Sequence, residues 1–167
     1  TMSMHIRDSG GSLIRKLQMG TKTRALKSEE FNCYMDAVRK APDAELHVAA
    51  LCCLIIGTGA RIGEIIQMTA ADLFDSNGRP LPSITRTLEK KRAIKPSRLT
   101  VEFAWHILGE PIKRWRDRAL RYYAISYREP LFSRRWNGQT LSYKHCWLIN
   151  RRFLVRAGIN PYGVAFH

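Results

Sequence analysis

One cation stands inside an aliphatic stretch. The run Leu54-Ile55-Ile56-Gly57-Thr58-Gly59-Ala60-Arg61-Ile62-Gly63-Glu64-Ile65-Ile66 is apolar apart from a Gly-Thr-Gly turn, one arginine and one carboxylate. A lone guanidinium among so many aliphatic side chains is costly to bury unless it is paired or meets an anion. The spacing predicts a helix beginning just after Gly59, with Arg61 in its first turn. Free backbone N–H groups and the positive dipole end there suit a phosphate. The same spacing also allows an Arg61–Glu64 pair at i,i+3 that only decorates a helix surface.

The whole chain leans toward a polyanion. Among its 167 residues, Lys and Arg total 28 against 14 acidic residues, a formal net charge of +14. Nucleic acid is the simplest partner for that excess. A membrane surface fits less well, because no basic amphipathic helix stands apart from the core pattern. Hydrophobic residues at 45% and charged residues at 25% fit a folded domain large enough to bury a core. Cys33, Cys52, Cys53 and Cys146 show no metal-ligand spacing and read as small core residues in a reducing, cytoplasmic compartment. No apolar run reaches the ~18 residues of a membrane span.

The elements that must position Arg61 follow from periodicity. Residues 1–24 read as a basic tail or linker and 25–167 as the folded part. Ser28-Glu29-Glu30 reads as a capped helix start, followed by Phe31, Tyr34, Met35 and Val38 on one face, with Pro42 beyond its end. Ala44 to Ile56 is apolar on nearly every side, a central buried helix. Asp75 to Pro80 is loop chemistry. Ser83–Leu88 and Arg98–Phe103 then read as two strands joined by the basic connection Glu89–Ser97, a hairpin with a positive tip. Lysines on an edge hairpin also serve solubility alone.

A helix with Pro111 in its first turn is expected next. It has Ile112, Trp115, Ala119, Leu120 and Tyr123 inward, and Lys113, Arg114, Arg116, Arg118 and Arg121 outward with few acidic partners nearby. A last helix runs from Leu141, capped by Thr140, to Ala157, with Gly158 as its stop. Its inward residues are Cys146, Ile149, Phe153 and Leu154. The predicted class is therefore mainly α with a small antiparallel β-sheet, an α+β domain.

In this order the segments resemble the catalytic domain of the tyrosine recombinases, the phage-integrase family. Ala25–Phe31 resembles that domain's first helix, Thr58–Glu64 its first arginine box, and Met68–Leu73 the usual continuation of that box. The basic hairpin is similar to the one that bears a catalytic lysine. Pro130–Ser133 through Arg156–Gly158 leads toward the second box, which Tyr162–His167 resembles at its opening. The resemblance implies Arg61 as a phosphate-clamping catalytic residue, with Glu64 supporting it. It implies Lys90 as general acid, with Lys91 as the alternative, and His167 as the first residue of a His-x-x-Arg pattern. Arg92, Lys95, Arg134, Arg135 and Lys144 are the expected DNA contacts. The fold implied is that of the tyrosine-recombinase catalytic domain.

In the family, a tyrosine attacks a DNA phosphodiester, leaving a 3′-phosphotyrosyl link and a 5′-hydroxyl. Planar guanidinium groups stabilise the charge on the non-bridging oxygens, a lysine protonates the leaving oxygen, and no metal or other cofactor is required. The complete protein is expected to cleave and rejoin duplex DNA as an oligomer. The sequence runs to His167, without the second arginine or a tyrosine in the nucleophile's place, so this chain is expected to bind DNA as a monomer without cutting it. A non-catalytic DNA-binding regulator and a basic RNA-binding protein are the alternative functions.

Overall fold

The structure is a computed structural model that describes residues 25–88, 97–132 and 141–164. It is mainly helical with one two-stranded antiparallel sheet. The helices are α1 (Ser28–Arg39), α2 (Leu46–Thr58), the single turns α3 (Ile62–Ile65) and α4 (Ala70–Leu73), α5 (Trp105–Arg121) and α6 (Tyr143–Arg156). A 3-10 turn, Asp43–Glu45, leads into α2. Strands β1 (Ser83–Leu88) and β2 (Ser97–Glu102) pair from Ser83 opposite Glu102 to Leu88 opposite Ser97. The hairpin connection 89–96 and the tail 1–24 lie outside the described residues.

The chain forms two compact units. One comprises Thr1–Ala41 with Trp147–Phe166. In it α1 buries Tyr34, Met35 and Val38, while Ile149, Phe153, Leu154 and Ile159 form the other side of its core. The buried Tyr34 hydroxyl donates to Asn150 Oδ1, so this core carries a satisfied polar pair. The start of α1 differs from expectation. Its cap is Lys27, whose N–H donates to the Glu30 carboxylate at 3.0 Å, and Ser28 is the first helical residue. A carboxylate three residues on satisfies that orphan donor without help from the hydroxyl. Cys33 is exposed, not core, because it falls off the face that carries Tyr34 and Val38.

At the other end of this unit, α6 closes as a Schellman motif. Ile159 N–H donates to Leu154 O at 2.9 Å and Gly158 N–H to Val155 O at 3.0 Å, with Gly158 at φ +77°. The start of α6 is capped by Ser142, whose Oγ accepts from His145 N–H at 3.1 Å. Thr140, the expected cap, lies outside the described residues.

The second unit, Pro42–Cys146, is organised around α2. Every residue from Leu46 to Ile55 is buried, so the helix must be covered on all sides. Helix α5 packs along it, presenting Leu108, Ile112, Trp115 and Ala119 at i, i+4, i+7 and i+11. Each such fully buried aliphatic side chain contributes about 1.5–3 kcal/mol relative to exposure. The Trp115 indole N–H finds Leu131 O at 2.9 Å.

Helix α5 starts at Trp105, so Pro111 is interior rather than first-turn. A proline there removes one ladder bond at roughly 3 kcal/mol. The buried stripe runs through it from Leu108, and the pyrrolidine ring is itself buried on that stripe. Packing therefore carries the helix across its breaker.

Gly57 is the tightest packing point described. A Cβ at that position would lie 2.2 Å from Phe103 Cε1, so only a glycine lets the last turn of α2 meet the residue that follows β2. Replacing it with alanine adds about 1 kcal/mol of helix propensity, but the overpacking penalty of roughly 1–3 kcal/mol wins. Gly57→Ala is expected to lower the urea midpoint, with part of the loss recovered in the Gly57→Ala/Phe103→Leu double variant. Urea unfolding of the single and double variants reads both effects. Equal stability of Gly57→Ala and the parent would refute the contact.

Candidate functional site

The turn that presents Arg61 is built from the end of α2. Gly59 adopts φ 69°, the left-handed conformation that ends a helix, and its N–H donates to Ile55 O at 2.8 Å. The Thr58 hydroxyl donates back to Leu54 O at 2.6 Å and accepts from Ala60 N–H at 3.1 Å. One side chain thus joins the spent helix to the new turn. Arg61 follows as the cap of α3 in extended conformation, φ −83° and ψ 158°, and its N–H donates to Glu64 Oε1 at 2.9 Å. Glu64 is buried and Arg61 exposed. The carboxylate therefore holds the arginine's backbone, and the guanidinium points to solvent.

Two expectations change here. Arg61 is the cap, not a first-turn residue, and the helix behind it has only four residues. A single turn carries little macrodipole, so any anion binding rests on the guanidinium itself. The ion pairs between described residues are Arg39–Asp36, Arg114–Asp43, Arg118–Asp43 and Arg116–Asp117, and Arg61 is in none of them. The simple Arg61–Glu64 surface pair is not formed. Exposure also removes the burial cost that made the cation conspicuous in the sequence.

The turn sits beside the hairpin base. Helix α3 lies against β1, and Gly57 at the end of α2 touches Phe103 just past β2. Thr85 and Thr100, opposite each other in the ladder, share a hydroxyl hydrogen bond of 2.8 Å. Below the turn, Thr69 and Asp72 make a full capping box for α4. Thr69 N–H donates to Asp72 Oδ2 at 2.8 Å, and Asp72 N–H donates to Thr69 Oγ1 at 3.3 Å. Hydrogen-bonded caps thus lie on both sides of the Arg61 segment.

Of the other expected site residues, Lys144 is exposed in the first turn of α6. Lys90, Lys91, Arg92, Lys95, Arg134, Arg135 and His167 lie outside the described residues.

The cationic face of α5 differs from expectation in its partners. Arg118 and Arg114 reach the same carboxylate, Asp43, at 3.0 Å and 3.9 Å. Arg116 pairs with Asp117 at 3.0 Å, donates to Gly78 O at 3.0 Å, and stacks 4.2 Å over the Phe74 ring. These arginines fasten α5 to the 3-10 turn and to the loop before β1. Asp43 is remote in sequence, so nothing in the local pattern of α5 announces it. Lys113 and Arg121 remain exposed on that helix.

A histidine pair also escaped the sequence reading. His47 in α2 and His145 in α6 meet through their Nε2 atoms at 3.0 Å, with rings stacked at 5.2 Å and 15°. Only one imidazole of such a contact can donate, so at least one nitrogen must be unprotonated. Burial first, and then the neighbouring His145, push the His47 pKa down to about 4 against the opposing pull of Glu45. Burial likewise pushes the Cys146 thiol up to about 12, which makes it an inert core group and not a nucleophile.

Among the described residues, no group of three or more His, Cys, Asp or Glu side chains is arranged to hold a metal ion. Among them, too, no single helix is long and apolar enough to cross a membrane. No protein family, curated protein or solved structure matches the chain.

The histidine pair makes stability depend on pH. The folded protein holds His47 below its unfolded value of ~6.5, so the unfolded chain binds the extra proton. Stability is fully present above pH ~6.5 and is lost as pH falls toward about 4. The full effect is on the order of 3 kcal/mol. Thermal melts at steps across that window should show the slope, and His47→Leu should flatten most of it. An unchanged slope in that variant would assign the acid sensitivity elsewhere.

Proposed function

We propose that residues 25–167 are a tyrosine-recombinase-like catalytic domain that engages duplex DNA, with Arg61 as a phosphate ligand. The observation that carries this reading is the Arg61 turn itself. An exposed guanidinium is held through its backbone by a buried carboxylate, in a double-capped turn beside the base of an antiparallel hairpin. The mainly helical chain with one small sheet and its excess of 28 basic over 14 acidic residues agree with it.

The chemistry proposed is the one the resemblance implies, and for Arg61 charge and exposure support it. A guanidinium presents a planar fork of donors that matches two phosphate oxygens, and it stays charged at any working pH. Charge that grows on the non-bridging oxygens during phosphoryl transfer is stabilised by donors already fixed in position. The hydrogen-bonded caps of the Thr58–Glu64 turn supply that preorganisation. Lys90, with Lys91 as alternative, is proposed as the general acid, and His167 as a phosphate hydrogen-bond donor or proton relay. Arg92, Lys95, Arg134, Arg135 and Lys144 are proposed to follow the DNA backbone. In the complete reaction a tyrosine oxygen would bond to phosphorus as the 5′-oxygen leaves with the proton from lysine.

Three of the six tyrosines have hydrogen-bond partners of their own. Tyr34 donates to Asn150, Tyr127 donates to the Phe74 carbonyl, and Tyr162 accepts from Arg151. We therefore propose binding without covalent capture for these 167 residues.

Anisotropy titrations with a labelled duplex test the reading. Between about 50 and about 200 mM salt, affinity should fall on the order of 10²-fold, and Arg61→Ala should reduce the salt slope by about one unit with a modest loss of affinity that is smaller at higher salt. Structured RNA of equal length should compete less well than duplex DNA. In a polypeptide that also supplies the second box and a tyrosine, Arg61→Ala should cost roughly 10²-fold or more in cleavage of a nicked site. Salt-independent binding, preference for RNA, or full cleavage without Arg61 would each reject the proposal.

A further inference from the structure

Two large aromatic rings stand in solvent on the unit formed by Thr1–Ala41 and Trp147–Phe166. Trp147 is 37% exposed and Tyr162 50% exposed, while the same stretch buries Ile149, Phe153 and Leu154. Arg151 lies one helical turn after Trp147 and ties the two rings together. Its guanidinium carbon is 5.4 Å from the Trp147 ring and 4.9 Å from the Tyr162 ring, and its Nη2 donates to the Tyr162 hydroxyl at 2.9 Å. The turn that presents Tyr162 is itself fixed. Tyr162 N–H donates to Asn160 Oδ1 at 3.1 Å, and Gly163 takes φ +83°. An open cleft beside the cluster is lined by Trp147, Asn150, Arg151, Leu154, Pro161 and Val164.

Along the stretch that carries these rings the charged residues are all basic. From Trp147 to Val164 the sequence carries Arg151, Arg152 and Arg156 and no Asp or Glu. Flat apolar faces beside the Arg151 guanidinium complement a ligand that is itself flat and anionic. A nucleotide has both properties: its base stacks on the ring and its phosphate meets the guanidinium. A base inside a duplex is already stacked on its neighbours and offers no face. We infer that Trp147, Arg151 and Tyr162 form a stacking site for an unpaired nucleobase of a single-stranded nucleic acid. It is a site additional to Arg61, and it does not depend on the duplex reading.

The test uses the whole chain with labelled oligothymidylate and oligouridylate of about twelve nucleotides, long enough for one site. An abasic sugar-phosphate strand of the same length is the control. Trp147→Leu and Tyr162→Leu should each weaken oligothymidylate binding by about 5- to 100-fold. Both should leave abasic binding within about twofold, because that strand has no base to stack. The oligouridylate arm tells whether an unpaired base of RNA serves as well as one of DNA. If Trp147→Leu lowers the melting temperature, Tyr162→Leu decides, since its side chain sits on an exposed turn outside the helix. Unchanged oligothymidylate affinity in the folded variant would overturn the inference. So would equal losses on base-bearing and abasic strands, or a change in self-association alone, which would assign the face to a second copy. Single-strand stacking that persists in a protein without salt-dependent duplex binding would remove the duplex reading and leave this one standing.

Discussion

Helix α2 is apolar on every side from Leu46 to Ile55, and water cannot be left against any of them without loss. That constraint dictates the arrangement of its unit. The helix needs a long partner, which α5 supplies through Leu108, Ile112, Trp115 and Ala119. Its last turn must pass close to the strand exit, and Gly57 is the residue without which Phe103 could not stay where it is. The helix must then end abruptly, because the next residues carry charge. Gly59 ends it, Thr58 ties the end to Ala60, and Arg61 emerges into solvent. The exposed cation is thus a consequence of where a buried helix has to stop.

Charge is divided between structural and free groups in a way that composition does not reveal. Asp43 serves two arginines of α5, and Arg116 donates to Asp117 and the Gly78 carbonyl while stacking on Phe74. Exposed pairs of this kind contribute about 0–1 kcal/mol each, so they orient elements more than they stabilise them. Groups spent in this way are weak candidates for a polyanion surface. Arg61, Lys113, Arg121 and Lys144, all exposed, are better placed for such contacts.

Several buried polar groups follow the rule that burial demands a partner, although Arg118 Nε is buried without a hydrogen bond among the described residues. Tyr34 meets Asn150, the Trp115 indole meets Leu131, and Glu64 accepts from the backbone of Arg61. The His47–His145 contact obeys the same rule with a restriction, since an imidazole pair at 3.0 Å excludes full protonation. Acid therefore works against this contact.

The sequence by itself determined the elements whose periodicity is strong. The buried α2, the two hairpin strands, with the second set at Ser97–Glu102 where the pattern suggests Arg98–Phe103, and the glycine stop of α6 all follow from local patterns that need no distant partner. Arg61 stands out in the sequence for the same reason: a cation breaks an aliphatic run whatever surrounds it. Tertiary structure decided what depends on residues far apart in the chain. Asp43 lies far from Arg114 and Arg118, His47 is 98 positions from His145, and Asn150 is 116 from Tyr34. It also decided that α5 runs through Pro111, because burial of the stripe on both sides outweighs one missing hydrogen bond. Periodicity reports which face of an element is apolar. Which charge meets which, and which aromatic ring is left outside, is settled only when the faces are packed.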